Sequence, residues 1–201
     1  MSSSTLTISR PTLADRVIPR SIAGDVALVV AGAAFTGLLA QVVIPLYPVP
    51  ITGQTLAVLL VGSTLGAVRG SLAMLAYAVL GVIGVPWFAE GHSGLGAIAS
   101  PSGGYIIGFI AAAALTGWVA ERAWDHRFVG ALLSFVGGTV ITFAIGMAWL
   151  AAVLGLNLSQ TLNGGLYPFL VGGAVKAIVA AALIPLAWKA VGRVTKRGAR
   201  S

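Results

Sequence analysis

Residues 128–175 read FVGALLSFVGGTVITFAIGMAWLAAVLGLNLSQTLNGGLYPFLVGGAV and contain no Asp, Glu, Lys or Arg. Three further stretches, 26–68, 70–89 and 91–120, are also free of these charged residues. A helix that crosses the hydrocarbon core of a bilayer needs about 20 predominantly apolar residues. The two longest stretches, 128–175 and 26–68, can therefore each hold two spans. This pattern predicts a polytopic membrane protein.

The composition of the whole chain points the same way. Of its 201 residues, 58% are hydrophobic and only 8% are charged, whereas soluble domains carry about 25% charged residues. The net charge of +7 is a property shared with nucleic-acid-binding proteins. Here the basic residues lie at the ends of the predicted spans, where topology requires them, so we predict no nucleic-acid partner. We predict neither a metal site nor a cofactor.

We predict an all-α bundle of six transmembrane helices with a long outer loop, residues 84–105, between helices 3 and 4. A tight turn at Arg69-Gly70 is expected to separate helices 2 and 3. The predicted helices cover residues 24–44, 53–68, 71–85, 104–121, 128–154 and 166–188. The predicted division of the chain is an N-terminal tail (1–22), a transmembrane substrate-binding domain (23–190) and a basic C-terminal tail (191–201).

The positions of Lys and Arg predict the orientation of the bundle, because cytoplasmic loops carry an excess of these residues. Eleven of them fall on one side of the predicted membrane, and none falls in the outer segments 45–52, 86–103 and 155–165. These eleven are Arg10, Arg16, Arg20, Arg69, Arg122, Arg127, Lys189, Arg193, Lys196, Arg197 and Arg200. We therefore expect a cell-membrane protein with both termini in the cytoplasm. The basic C-terminal tail is expected to bind anionic lipid.

Lys176 is the one basic residue inside a predicted span. A lysine at the centre of a membrane helix costs roughly 2.5–3.5 kcal/mol on insertion scales, so it usually faces the bundle interior and a partner. The predicted spans contain no Asp or Glu apart from Asp25 and Glu121, which lie at the ends of helices 1 and 4. With no acidic residue deeper in a span, an anionic ligand is the natural partner of Lys176. The alternative is that the side chain extends to the membrane surface.

Polar and aromatic side chains near the predicted outer ends of the helices are further candidates for a binding site. Gln54 offers amide donors and an acceptor that suit a polar heterocycle; alternatively, it is a solvated residue at a helix end. Thr52 is the expected cap of helix 2. Trp87, Phe88 and Tyr105 either line a pocket beneath a lid or belong to the interfacial aromatic belt.

Small residues on helix 1 predict a contact with another protein. Ala23, Ala27 and Ala31 recur every four residues, and such faces let membrane helices approach closely. Packing within the same bundle is the alternative. The chain has no Walker A motif and no carboxylate in the interior of its predicted spans for an ion relay. If it transports, we expect the energy to come from a partner.

The tetrapeptide Gly-His-Ser-Gly at 91–94 raises an enzymatic alternative. It matches the Gly-x-Ser-Gly of rhomboid-type intramembrane proteases, which also have six helices. The second histidine of this chain, His126, lies in a predicted cytoplasmic loop, so it is badly placed to act as a base. A dyad of Ser93 and Lys176 is the remaining form of this hypothesis.

Three segments resemble the BioY family, the biotin-binding S components of energy-coupling factor (ECF) transporters. They are IPLYPVPITGQTLAVLLVG (44–62), GVPWFAEGHSGLGAIASPSGGYIIGF (84–109) and YPFLVGGAVKA (167–177). The last family motif usually reads Pro-Gly-Asp-x-x-Lys, and here Gly173 occupies the aspartate position while Lys176 is kept. An S component for another small vitamin is the alternative that this departure favours.

The resemblance implies a six-helix protein that captures biotin from outside and delivers it with a transmembrane T component and a pair of ATPases. In this interpretation Lys176 contacts either the carboxylate or the ureido oxygen of biotin. Gln54 and Tyr105 supply hydrogen bonds, and Trp87 and Phe88 cover the ring.

Overall fold

The computed structural model describes residues 12–18 and 20–198, with side chains described to residue 191. The predicted tails, 1–22 and 191–201, therefore lie partly outside the described residues. Within the described part the chain is predominantly helical. Its elements are α1 (Leu13–Val17), α2 (Ile22–Ala40), β1 (Val43–Ile44), β2 (Ile51–Thr52), α3 (Gln54–Leu65), α4 (Ala67–Val82), α5 (Leu95–Ala99), α6 (Gly103–Ala120), α7 (Phe128–Leu154), α8 (Leu158–Gly165) and α9 (Leu170–Gly198).

Four helical segments of the described chain are long and apolar enough to cross a membrane. They are Ile22–Ala40, Gly103–Ala120, Phe128–Leu154 and Leu158–Val191, the last of which includes α8 and part of α9. Two shorter apolar helices, α3 and α4, have 12 and 16 residues. Large apolar side chains such as Leu38, Leu133 and Val171 are exposed on the outside of the bundle, where a bilayer would cover them.

The break between α3 and α4 lies at Gly66, so the predicted turn at Arg69-Gly70 is wrong. Gly66 has a φ of 89° and a ψ of 175°, a backbone conformation that favours glycine because it has no Cβ. The N–H of Ala67 then donates to Glu121 Oε1 at 2.8 Å, which satisfies one of the free donors at the start of α4. Arg69 lies inside α4.

The connections that follow α2, α4 and α7 contain short strands and helices that the six-helix prediction did not include. After α2 ends at Ala40, β1 and β2 form a short antiparallel ribbon in which Val43 pairs with Thr52. The expected loop 84–105 contains a 3₁₀ turn at Ala89–Gly91 and the helix α5. The expected connection 155–165 includes α8, whose capping box joins Asn157 and Gln160.

Helix α6 lies at the centre of the bundle and packs against α3, α4 and α7. Its contact with α3 is very close: a Cβ added to Gly62 would lie 2.1 Å from Thr116 Oγ1. One core forms around Tyr77, Tyr105, Phe109 and Phe143. A second core joins α1, α3, α7 and α9 around Leu13, Leu59, Phe135 and Ile184. Helix α9 thus packs along α3 and α7.

Charged side chains join the elements at the end of the bundle away from the ribbon. Asp15 accepts hydrogen bonds from Arg20 at 3.0 Å and from Arg69, and this fixes α1 beside α4. Burial acts to raise the pKa of Asp15, but these bonds and those from Thr12 outweigh it and hold that pKa well below its usual range. Ser63 Oγ donates to the fully buried Asp125 at 2.6 Å.

Candidate binding site

A cavity of about 310 Å³ opens at the end of the bundle that carries the ribbon. Four parts of the chain enclose it: residues 46–55, residues 88–102, the first turns of α6, and the facing sides of α7 and α9. Its lining includes five of the predicted site residues, namely Thr52, Gln54, Phe88, Tyr105 and Lys176. Trp87 is absent from the lining.

Lys176 reaches the cavity from the second turn of α9. Its Nζ donates to the backbone carbonyl of Thr52 and to Thr55 Oγ1, the latter at 3.2 Å. An ammonium group has three N–H donors, and no third acceptor is found within the described part of the chain. The ion pairs among the described side chains join Asp15 to Arg20 and Arg69, and Arg69 to Asp25. The charge of Lys176 is therefore available to an anionic or strongly accepting ligand group.

Thr52 and Gln54 form a short hydrogen-bonded chain at the floor of the cavity. Thr52 Oγ1 donates to Gln54 Oε1 at 2.7 Å, and Gln54 Nε2 donates to Tyr77 Oη at 2.7 Å. Gln54 is buried, with 6% of its surface exposed, so its amide is fixed in one orientation. The cap of α3 is Gly53, not Thr52 as predicted. The Thr52 hydroxyl instead positions the Gln54 amide.

Aromatic rings form the wall on the side of α6 and α7. Tyr105 packs edge-on against Phe143 with ring centroids 5.6 Å apart, and Phe143 packs in the same way against Phe169 at 5.5 Å. Tyr105 Oη donates to the carbonyl of Gly165 at 2.9 Å. The hydroxyl proton of Tyr105 is thus donated within the protein, whereas its hydroxyl oxygen can still accept a hydrogen bond.

The two predicted cover residues have different positions. Phe88 lines the cavity, is 2% exposed and packs edge-on against Tyr77 at 5.3 Å. Trp87 lies behind it, where its Nε1 donates to the carbonyl of Tyr77 at 2.9 Å and its ring packs over Gly37. Trp87 therefore packs behind Phe88 and does not face the cavity.

The remaining predicted residues lie away from the cavity. Ser93 is exposed and is not part of the lining, and the hydrogen bonds of Lys176 go to Thr52 and Thr55. Ala23, Ala27 and Ala31 are all exposed along α2, so this face is not packed within the described bundle.

Sequence reasoning missed several side chains of the candidate site. Tyr77 and Thr55 are the partners of Gln54 and Lys176, and Phe143 and Phe169 complete the aromatic wall. Tyr77 carried a signal, because it is a lone hydroxyl-bearing aromatic in an apolar helix, and such groups find a partner when they are buried. Thr55, Phe143 and Phe169 carried no comparable signal.

Together the lining provides one cation, a fixed amide with neighbouring hydroxyls, and an apolar aromatic wall. Small-molecule sites usually combine a mostly apolar cavity with a few placed polar groups. The arrangement suits a small ligand that has an anionic or strongly accepting group and an apolar body.

The fold and this cavity define a multi-pass membrane protein with a small-molecule site at one end of its helical bundle. The family model described as "BioY family" matches residues 9–193. The chain belongs to the BioY family.

Individual relatives agree with this assignment. The chain is 38% identical to the biotin transporter BioY of Rhizobium etli over 154 residues, which cover 73% of this chain and 82% of the relative. It is 36% identical to the biotin transporter BioY of Thermotoga maritima over 150 residues, which cover 73% and 87%. A solved S component for biotin from an ECF-type ABC transporter matches with a TM-score of 0.74 and 25% identity, and the match covers 83% of this chain and 92% of the other.

The family is one of transporters, so the chain is not an enzyme. The structure adds that Ser93 and Lys176 do not form the hydrogen-bonded pair that a protease dyad needs.

Proposed function

We propose that the chain captures biotin in this cavity and acts as the substrate-specific subunit of an ECF-type transporter for biotin uptake across the cell membrane. The observation that carries the proposal is the Lys176 ammonium, held in the cavity by neutral oxygens of Thr52 and Thr55. The names of the relatives and of the solved S component support biotin as the ligand.

The chemistry of biotin suits the lining. Its carboxylate or its ureido oxygen pairs with Lys176, because either is a strong acceptor for an ammonium donor. Gln54 and Tyr105 contribute polar contacts, the former through its amide and the latter through its hydroxyl oxygen. The apolar ring and alkyl chain pack against Phe88 and Phe143. Thr52 and Trp87 act indirectly, by fixing Gln54 and by supporting Phe88.

The proposed topology has six spans, with α3 and α4 counted as two of them, and both termini in the cytoplasm. The position of the basic residues supports this orientation. Arg69 lies in the first turn of α4, Arg122 and Arg127 lie between α6 and α7, and Lys189 lies in the later part of α9. None of the four lines the cavity, and positive residues favour the cytoplasmic side. The proposed parts of the chain are the tail 1–22, the substrate-binding domain 23–190 and the basic tail 191–201, which lies against anionic lipid.

The proposed partners are a transmembrane T component and its ATPase subunits. Ala23, Ala27 and Ala31 supply the contact with the T component, since they form an exposed row of small residues on α2. Such a row permits close approach of a second membrane helix without the burial of any polar group.

The deciding experiment is a calorimetric titration of the detergent-purified chain with biotin, with desthiobiotin and thiamine as comparison ligands. Saturable one-to-one binding of biotin, and none of thiamine, is the expected result. A folded protein that binds thiamine but not biotin would assign it to another vitamin. A folded protein that binds none of the three would overturn the proposed site.

A further inference from the structure

Gln41, the residue at the C-terminal end of α2, joins that helix to the segment over the cavity. Its Nε2, which has two N–H donors, lies within hydrogen-bond distance of three carbonyls, those of Gly37 at 3.0 Å, Trp87 at 3.2 Å and Phe88 at 3.1 Å. Its Oε1 accepts from the N–H of Gly91 at 3.1 Å. One amide thus contacts both ends of the 3₁₀ turn Ala89–Gly91.

The segment 87–92, which we call the outer cover, lines the cavity with Phe88, Ala89, Glu90 and His92. Its backbone is irregular: Glu90 has a φ of 60° and Gly91 a φ of 72°. Its internal backbone hydrogen bonds run from Phe88 to His92 and from Gly91 to Phe88, each at 3.1 Å, and from His92 to Ala89 at 3.2 Å. These bonds shape the turn but do not attach it to the bundle.

Hydrogen bonds from three side chains attach the outer cover to the helices: those of Tyr77 and Gln41, and that of Trp87, whose Nε1 donates to the carbonyl of Tyr77. Tyr77 fixes its beginning, because Tyr77 Oη accepts from Gln54 and donates to the carbonyl of Trp87 at 3.2 Å. Gln41 fixes the part that follows, from Phe88 to Gly91. Since this segment forms part of the cavity wall, we expect the strength of its attachment through Gln41 to affect how often the cavity opens.

The same end of α2 also contacts the opposite side of the cavity. The carbonyl of Val42 accepts from the N–H of Gly53 at 2.9 Å, directly beside Thr52, whose carbonyl accepts from Lys176. The two residues that follow α2 therefore contact both sides of the cavity: Val42 bonds to Gly53 beside Thr52, and Gln41 bonds to the outer cover.

We propose that Gln41 is a positioning residue that holds the outer cover closed and thereby limits the rate at which ligand leaves. The inference rests on the proposed function for the identity of the ligand. The attachment of the cover itself does not depend on that identity.

The test uses Gln41→Met, which keeps the length of the side chain and removes its amide. Gln41→Glu keeps the acceptor for Gly91 but places a carboxylate against the carbonyls of Trp87 and Phe88. Gln160→Met is the matched control, because the Gln160 amide serves the cap of α8. For each purified variant, biotin dissociation is followed by chase of the labelled ligand, and hydrogen exchange is followed in peptides that cover 85–94.

Both Gln41 variants are expected to release biotin about tenfold faster than the wild type, as loss of one or two hydrogen bonds predicts. Exchange in 85–94 rises in both, with Gln41→Glu affected at least as much as Gln41→Met. The Gln160 control changes neither. Unchanged dissociation from a wild type that binds biotin would overturn the inference, as would unchanged exchange in 85–94. If the wild type binds no biotin, the proposed function fails, and exchange alone decides whether Gln41 holds the cover.

Discussion

Gly81→Ala is a small change that acts on the cavity through one neighbour. Gly81 lies near the end of α4, directly against the tip of the Phe88 ring. A Cβ placed there would lie 2.1 Å from Phe88 Cζ and 2.4 Å from Cε1. Ordinary contact begins at 3.4 Å, so the ring has to retreat by about 1.3 Å, which is 3.4 minus 2.1.

The cost of this retreat differs between the free and the bound protein. In the free protein the ring moves into a cavity of about 310 Å³, and alanine favours the helix over glycine by about 0.5–1 kcal/mol. In the bound protein the ligand fills that space, so the overlap is not relieved. Overpacking of a filled core costs about 1–3 kcal/mol. We therefore expect biotin to bind about 30-fold more weakly, which corresponds to about 2 kcal/mol.

Calorimetric titration measures the affinity, and thermal unfolding of the ligand-free protein measures stability. Gly96→Ala is the matched control, because Gly96 lies in α5 of the same outer segment and a Cβ there has nothing within 4 Å. In a Phe88→Leu background, which shortens the side chain, adding Gly81→Ala is expected to change affinity less than about twofold. Wild-type affinity in Gly81→Ala, or an equal loss in Gly96→Ala, would refute the reasoning.

Three other changes test other parts of the molecule. Lys176→Met removes the charge while it keeps most of the side-chain length, and biotin affinity is expected to fall at least tenfold in a titration; an unchanged affinity would remove Lys176 from the site. Ala27→Leu is expected to abolish co-purification with the T component and leave biotin binding unchanged; retained assembly would place the contact elsewhere. Burial raises the pKa of Asp125 despite the hydrogen bond from Ser63, so folding is favoured below the unfolded pKa of about 3.9 and stability falls as pH rises through the folded pKa. Unfolding temperatures measured from pH 4 upward should show this decline in the wild type and not in Asp125→Asn; parallel curves would contradict it.

The general position of the site could be predicted because membrane burial makes polar residues conspicuous. Lys176 stands out as the single cation of an apolar helix, and Gln54 as an amide at the start of another. Five of the six predicted binding residues line the cavity. Trp87 was misplaced because sequence does not say which side of an irregular segment an aromatic ring occupies.

Helix boundaries within apolar sequence were harder to predict. Between helices 2 and 3 the turn was predicted at Arg69 because Arg69 is charged. The backbone conformation that separates the two helices is that of Gly66. Glycines 62, 66 and 70 look alike in sequence, but Gly62 and Gly70 lie within helices and Gly66 alone of the three has a positive φ. Helix α8 did carry a local signal, since Asn157 and Gln160 have the spacing of a capping box.

The close contact of α3 with α6 limits the paths by which a ligand could leave the cavity through the bundle. With 12 residues, α3 rises only about 18 Å, which is shorter than a bilayer core of about 30 Å. Gly62 and Thr116 bring the two backbones too close for even one added carbon atom. A molecule of biotin cannot permeate between these helices while they remain packed. A route for ligand between α3 and α6 would therefore require these two helices to separate.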